Sequence, residues 1–278
     1  MGPGRRESFR GTLSRLPAEL WLAGMAFLLV APLPAAFEGA ELFRPTLATL
    51  DGIHSPALNS PARLPDQDWW SSVGRTVPFG QSWAAGQQLS LGGSYHFWRG
   101  AVGVWSSGDR LYKETQATIA LARKSLAGFS AGVSLTYNQV AILNFKPVQS
   151  ELLLGFGLAG DLTDNMIFSL WYSGLAPDDD GAYESLARQL FQLALLHPAR
   201  DHYGWALGLE KTPGFKLRQL LEISIGGGGR VELLLGYRTH PSLPFVGTRV
   251  TLSRLQLFIR VNHHPLFGLS TAFGLALK

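Results

Sequence analysis

Tyr203-Gly204-Trp205-Ala206-Leu207-Gly208-Leu209-Glu210 is followed by Arg218-Gln219-Leu220-Leu221-Glu222-Ile223-Ser224-Ile225, and then by Val231-Glu232-Leu233-Leu234-Leu235-Gly236-Tyr237-Arg238. Leu255-Gln256-Leu257-Phe258-Ile259-Arg260-Val261-Asn262 and Leu269-Ser270-Thr271-Ala272-Phe273-Gly274-Leu275-Ala276 complete the run. In each segment bulky apolar residues alternate with small, polar or charged ones. A period of two is the side-chain period of a β-strand, because successive Cβ atoms point to opposite faces. Thr212-Pro213-Gly214, Gly226 to Gly229 and Ser253-Arg254 separate the segments as short turns, which makes a meander of hairpins. One face is bulky and continuous over many strands; the other mixes Gly, Ala and Ser with Arg and Glu. The water-facing side of a soluble sandwich or lipocalin-like barrel would carry Lys, Thr and Glu and few glycines. A wide apolar face opposite a small-or-charged one suits a barrel with lipid outside and a polar lumen inside.

Working outward, the same alternation predicts strands over 68–78, 86–97, 100–107, 114–123, 128–140, 150–161 and 165–174. In 128–140, Phe129, Ala131, Val133, Leu135 and Tyr137 oppose Ser130, Gly132, Ser134, Thr136 and Asn138. The 165–174 segment is apolar on both faces and has no assigned orientation. Glu184 to Leu196 fits a helix through Leu186, Leu190 and Leu193, or a strand through Gln189, Phe191, Leu193 and Leu195. As a strand it joins 202–211, 216–226, 230–239, 246–252, 255–263 and 268–277 to make fourteen, an even number as single-chain bacterial barrels have. The expected fold is therefore all-β: a transmembrane antiparallel up-and-down barrel of about fourteen strands.

Composition agrees with this reading. The 278 residues include 32 Gly, 8 Trp and 16 Phe, and only 16% are charged. Alternation hides the hydrophobicity of such a barrel, so the ordinary 46% apolar share is no objection. The absence of cysteine excludes disulfides and thiolate metal sites. A net charge of +4 without a basic run beside aromatic platforms gives no sign of nucleic-acid binding. At the N-terminus, Arg5, Arg6, Arg10 and Arg15 precede an apolar stretch from Leu20 to Val30 and a small-residue end at Pro34-Ala35-Ala36. That pattern predicts a signal peptide over 1–36, with an uncleaved anchor helix as the alternative. Residues 37–67 are proline-rich and read as a separate N-terminal segment, leaving 68–278 for the barrel.

Within that segment stand Ser55-Pro56-Ala57-Leu58 and Asn59-Ser60-Pro61-Ala62. They resemble the Asn-Pro-Ala-x-Leu motif found before the first strand of outer-membrane barrels of the fatty-acid-transporter (FadL) and PorV types. The run Val231 to Arg238, with Pro241 and Gly247, and the lead-in His263-His264-Pro265-Leu266-Phe267-Gly268 to the last strand resemble the closing strands of the same barrels. A departure is the end of the chain, Ala276-Leu277-Lys278, where those barrels usually finish on an aromatic residue. The resemblance implies fourteen strands, an N-terminal hatch over 37–67 carrying Ser55, Pro56, Ala57, Leu58, Asn59 and Pro61, and a place in the bacterial outer membrane among its lipids. It implies passage of hydrophobic or small solutes, or attachment of an exported protein at the surface. The alternative is a non-conducting scaffold barrel that binds a partner protein.

Several constellations bear on function. Glu210, Arg218, Glu222, Arg230, Glu232, Arg238 and Arg260 share the small-residue face and are expected to form a polar network across the lumen, pairing across strands to offset burial. Leu153, Leu220, Leu234 and Phe258 point the same way and could line an apolar path. Gly100 and Gly103 are candidate positions for a strand kink that opens a lateral exit. Trp69, Trp70, Trp83, Trp98, Trp105, Trp171 and Trp205 are expected in girdles at the membrane interfaces. His263 and His264 are adjacent, so a strand would point them to opposite faces, and no metal site or cofactor is expected. There is no nucleophile elbow and no His-Glu-x-x-His, so no enzymatic activity is expected.

Overall fold

The computed structural model describes residues 60–125, 128–143, 149–175, 190–198, 203–212, 216–227, 230–240, 242–265 and 267–277. Residues 1–36, Ser55 to Asn59 and Glu184 to Gln189 lie outside them. Fourteen strands are present: β1 Trp70–Val77, β2 Gly86–Tyr95, β3 Trp98–Gly108, β4 Tyr112–Lys124, β5 Phe129–Ile142, β6 Gln149–Thr163, β7 Met166–Leu175, β8 Leu190–His197, β9 Tyr203–Lys211, β10 Arg218–Gly227, β11 Val231–Arg238, β12 Leu243–Leu252, β13 Leu255–His264 and β14 Gly268–Leu277. Each pairs antiparallel with its neighbour in the chain, and β1 pairs with β14 to close the barrel. Closure leaves no unpaired strand edge, a requirement for backbone in a bilayer.

The alternation sorts the side chains. Leu89, Leu91, Val102, Val104, Ile119, Leu121, Val133, Leu135, Phe156, Leu193, Leu207, Leu221, Ile259 and Phe273 are exposed on the outside. That apolar surface runs round the whole barrel, far beyond the patch a water-soluble monomer exposes. The facing positions hold Ser72, Ser90, Ala101, Ala120, Thr136, Ala194, Ala206, Ser224, Ala272 and Ala276, all buried. In β7 Ser169 and Trp171 are inward, which supplies the orientation its apolar sequence left open. From Leu190 to His197 the chain is strand: Leu190, Ala194 and Leu196 face in, Phe191 and Leu193 out.

Both β1 and β14 meet the rim where the short connections 96–97, 164–165 and 253–254 lie. The longer connections, 78–85 among them, lie at the other rim. In barrels of this kind the short turns are periplasmic and the longer loops extracellular.

Two expectations need correction. Strand β3 pairs without interruption on both sides, Gly103 with Ser90 and Thr118, Gly100 with Gly93 and Leu121, so there is no kink there. The irregularities fall between β6 and β7, at Leu154/Gly155 and Asp161/Thr163. The tryptophans also divide. Trp69, Trp83 and Trp98 are exposed, but Trp70, Trp105 and Trp171 are buried inside. Inward glycines explain them: a Cβ at Gly92 would collide with the Trp70 indole, and one at Gly86 would lie 3.0 Å from Trp105 Nε1. Gly236 accommodates Phe245 in the same manner. An indole laid on a bare backbone fills the lumen wall without leaving a void.

Candidate functional site: the barrel lumen

The lumen is where polar residues converge, and its lining differs from one side to the other. On β9–β13 it is charged. Glu210 is fully buried and accepts hydrogen bonds from Arg218 Nη1 at 3.0 Å and Arg238 Nη2 at 2.9 Å. Arg218 also donates from Nε to the His240 carbonyl at 2.9 Å. The register makes the cluster: Arg218 is directly opposite Glu210, and Arg238 is opposite Leu220 on the same inward face. Burying one carboxylate between two guanidiniums replaces hydration with charge-assisted bonds. Arg260 donates to Asn262 Oδ1 at 2.7 Å and stacks over the Phe245 ring at 3.9 Å, and Glu222 is buried on the neighbouring inward face of β10. Glu232 pairs with Arg249, its register partner on β12.

The structure thus brings Glu210, Arg218 and Arg238 into one cluster and Glu232 into another. Arg230 departs from the expected network: β11 begins at Val231, and Arg230 is exposed in the preceding turn, its carbonyl accepting the Thr251 amide. Arg249, which was not anticipated, takes the role of Glu232's partner. Its signal was the alternation Gly247, Arg249, Thr251 inside the expected strand 246–252, which puts Arg249 on the small-residue face.

The apolar candidates all face in but do not form one file. Leu234 and Phe258 pack on each other. Leu220 packs with Ile167 against Ala194, Leu196 and Ala206. Leu153 is buried on β6, on a different arc of the wall.

At the rim of short turns, residues 60–68 enter the lumen. A single 3-10 turn, Pro61–Arg63, lies against β4, β5, β6 and β7. Glycines make the seat. A Cβ at Gly132 would lie 2.7 Å from the Pro61 carbonyl carbon, and one at Gly157 would strike Ser60 Oγ. Leu64 is buried with Trp70, Ala101, Ala120 and Ala122. Asp66 accepts from Arg99 Nη2 at 2.8 Å and from Lys124 Nζ at 2.9 Å, while Arg99 Nη1 donates to the Leu64 carbonyl at 3.1 Å. The hydrogen bond from Lys124, with the positive charges of Arg99 and Lys124, holds the Asp66 carboxyl below the usual carboxylate range against a smaller desolvation effect. Of the six hatch-motif residues, Pro61 is the one described, and it is buried in this seat. Asp66, Arg99, Lys124, Gly132 and Gly157 were not anticipated, because nothing local in the sequence ties residues so far apart.

At the rim of longer loops, Phe79, His264 and Phe267 form a ring cluster, with Phe79 to Phe267 at 5.0 Å and His264 stacked on Phe267 at 4.6 Å. His264 is the inward member of the adjacent histidine pair. The segment Gly128-Phe129-Ser130-Ala131-Gly132 has the Gly-x-Ser-x-Gly spacing, but it runs along β5 instead of turning from strand into helix. Ser130 is buried on the inward face with no histidine bonded to it, so the spacing makes no nucleophile elbow.

A closed antiparallel barrel with an apolar exterior and a polar, partly filled interior is a transmembrane barrel of the outer-membrane type. Among solved structures, the toluene transporter TodX of Pseudomonas putida is similar, with a TM-score of 0.56 and 12% identity over 89% of this chain and 97% of that one. A TodX monoaromatic hydrocarbon channel carrying the deltaS2S3 mutation gives 0.57 and 12% over 80% and 92%. At that identity the likeness is one of fold. No protein family and no curated protein matches the chain.

Proposed function

We propose that the protein is an outer-membrane channel for small solutes, with residues 37–67 as a hatch behind a signal peptide at 1–36. The observation that carries this reading is the inserted segment 60–68 at one mouth of a closed barrel. A scaffold needs no covalent occupant fitted to the wall by glycines and held by an exposed ion pair. The barrels it resembles in fold are named for hydrocarbon passage, and a FadL-like relationship is consistent with the hatch motif. Passage requires that the segment shift, since Leu64 and Pro61 occupy the lumen. No step of chemistry on a solute is part of this reading.

A second reading, a scaffold barrel that conducts nothing, is favoured by the Glu210 cluster and the Leu234–Phe258 contact, which fill the opposite side. Swelling of liposomes that contain the full chain or a variant lacking 37–67 separates the two. A channel gives solute-dependent swelling that rises when the segment is removed. Liposomes that swell no faster than protein-free ones in both cases end the channel reading.

A further inference from the structure

Five lumen-facing side chains on adjacent strands carry atoms shut off from solvent that make no hydrogen bond among the described residues: Thr76 Oγ1, both amide atoms of Gln88, Ser90 Oγ, Trp105 Nε1 and Gln116 Oε1. Gln88 is 4% exposed and Trp105 3%. The register draws them together. Gln88 lies opposite Trp105, Trp105 opposite Gln116 and Gln116 opposite Asn138, so one row crosses β2 to β5. Gln116 Nε2 donates to Asn138 Oδ1 at 2.8 Å, which engages the amine end of that amide and leaves its carbonyl oxygen over. Thr76 Oγ1 and Trp105 Nε1 converge over the bare backbone of Gly86, 2.9 and 3.0 Å from where a Cβ would stand.

Buried amides and hydroxyls are almost always bonded in native proteins, because leaving them unpaired is costly. An apolar residue at position 88 would fill the same space without that cost. The row supplies donors (the Gln88 amine and the Trp105 N–H), acceptors (the Gln88 and Gln116 carbonyls) and hydroxyls that do either. It supplies no charge. Two acids flank it on the same face, Glu114, engaged by the Tyr112 hydroxyl two residues from Gln116, and Glu151, opposite Asn138 on β6, and the ion pairs of the lumen lie elsewhere. An anion would be desolvated here with no counter-charge and with Glu114 and Glu151 to repel it, and a hydrocarbon would leave every orphan unpaired. A molecule whose hydroxyls each donate and accept meets the whole set.

We propose that this row is a binding site for a neutral sugar. The proposal rests on the channel reading, since the site would select the solute that passes. Calorimetric titration of the full chain in detergent with glucose and sucrose tests binding, with glucuronate and toluene as controls. Liposome swelling with the same sugars tests passage separately. The expected result is saturable sugar binding, weaker for glucuronate and absent for toluene. Gln88→Leu should weaken sugar binding by about tenfold, since it removes both a donor and an acceptor. Trp105→Phe and Ser90→Ala should weaken it a few-fold and, as smaller changes, serve if Gln88→Leu fails to fold by heat-modifiable gel migration. Trp83→Phe, on an exposed loop, should change nothing. Absence of saturable sugar binding, or binding indifferent to all three lumen variants, overturns the site. Sugar binding without swelling, in the full chain and in the variant lacking 37–67 alike, sustains the site and ends the channel reading; swelling without binding does the reverse.

Discussion

The wall from β9 to β13 and the wall from β1 to β5 face each other across one lumen, yet they solve the burial of polar groups in opposite ways. On the first, carboxylates hold arginines, Glu210 bridging two guanidiniums and Glu232 engaging a third. On the second, between the Asp66–Arg99 pair at one mouth and Glu114 further along, the row from Gln88 to Asn138 is neutral, and several of its groups make no hydrogen bond among the described residues. Charge buried in a barrel must be paired to be tolerated, so the first wall is committed to its own structure. Neutral amides and hydroxyls are cheaper to leave over, so the second wall keeps bonding capacity for something that comes and goes.

Four substitutions break or sharpen this contrast. The largest effect is expected from Glu210→Ala, which leaves Arg218 and Arg238 buried side by side; a loss of about 3–5 kcal/mol should appear as a lowered transition in heat-modifiable gel migration. Next is Val104→Arg, on the outside of the neutral wall. If that side meets acyl chains near mid-strand, the cost is about 2–4 kcal/mol, measured by urea unfolding in lipid vesicles, whereas an arginine facing water would cost almost nothing. Gly157→Val fills the seat of the inserted segment and should cost about 1–3 kcal/mol of local packing, read as trypsin cleavage after Arg63 in the folded barrel. The smallest effect is Asp66→Asn. Asp66 is 51% exposed, so its two ion pairs are worth under about 1 kcal/mol, but the variant should raise both cleavage at Arg63 and its salt independence. For pH, the lowered Asp66 value means the clip is fully formed above the ordinary carboxylate pKa of about 4 and is lost only as pH falls below it. Cleavage at Arg63 should therefore be flat from neutral to mildly acidic pH, checked by running the same trypsin assay at each pH and dividing by the cleavage of an unfolded substrate at that pH.

The barrel itself was legible because a membrane imposes a two-residue rhythm that each strand displays alone. Phe129 to Asn138 and Leu255 to Asn262 announce both their conformation and their faces without help from any neighbour. The Leu190 to His197 strand was ambiguous because its leucines fit a helical spacing as well. The lumen was legible only in part. Glu210 and Arg218 could be paired from one hairpin, but Glu232 with Arg249 needed the register of β11 on β12, and Asp66 with Lys124 needed the path of the N-terminal segment. The inward tryptophans were misplaced because girdle position depends on height and face together, and the glycines that receive them sit on other strands.

Residues 60–68 run directly into β1, and β1 is half of the ladder that shuts the cylinder, Ser71 against Leu277 through Val77 against Thr271. Trp70 belongs to both, as the first residue of that strand and a member of the group around Leu64. Any pull that draws the inserted chain outward is transmitted through Trp69 and Trp70 to the seam at Ser71, so unplugging the mouth and loosening the closure are mechanically linked.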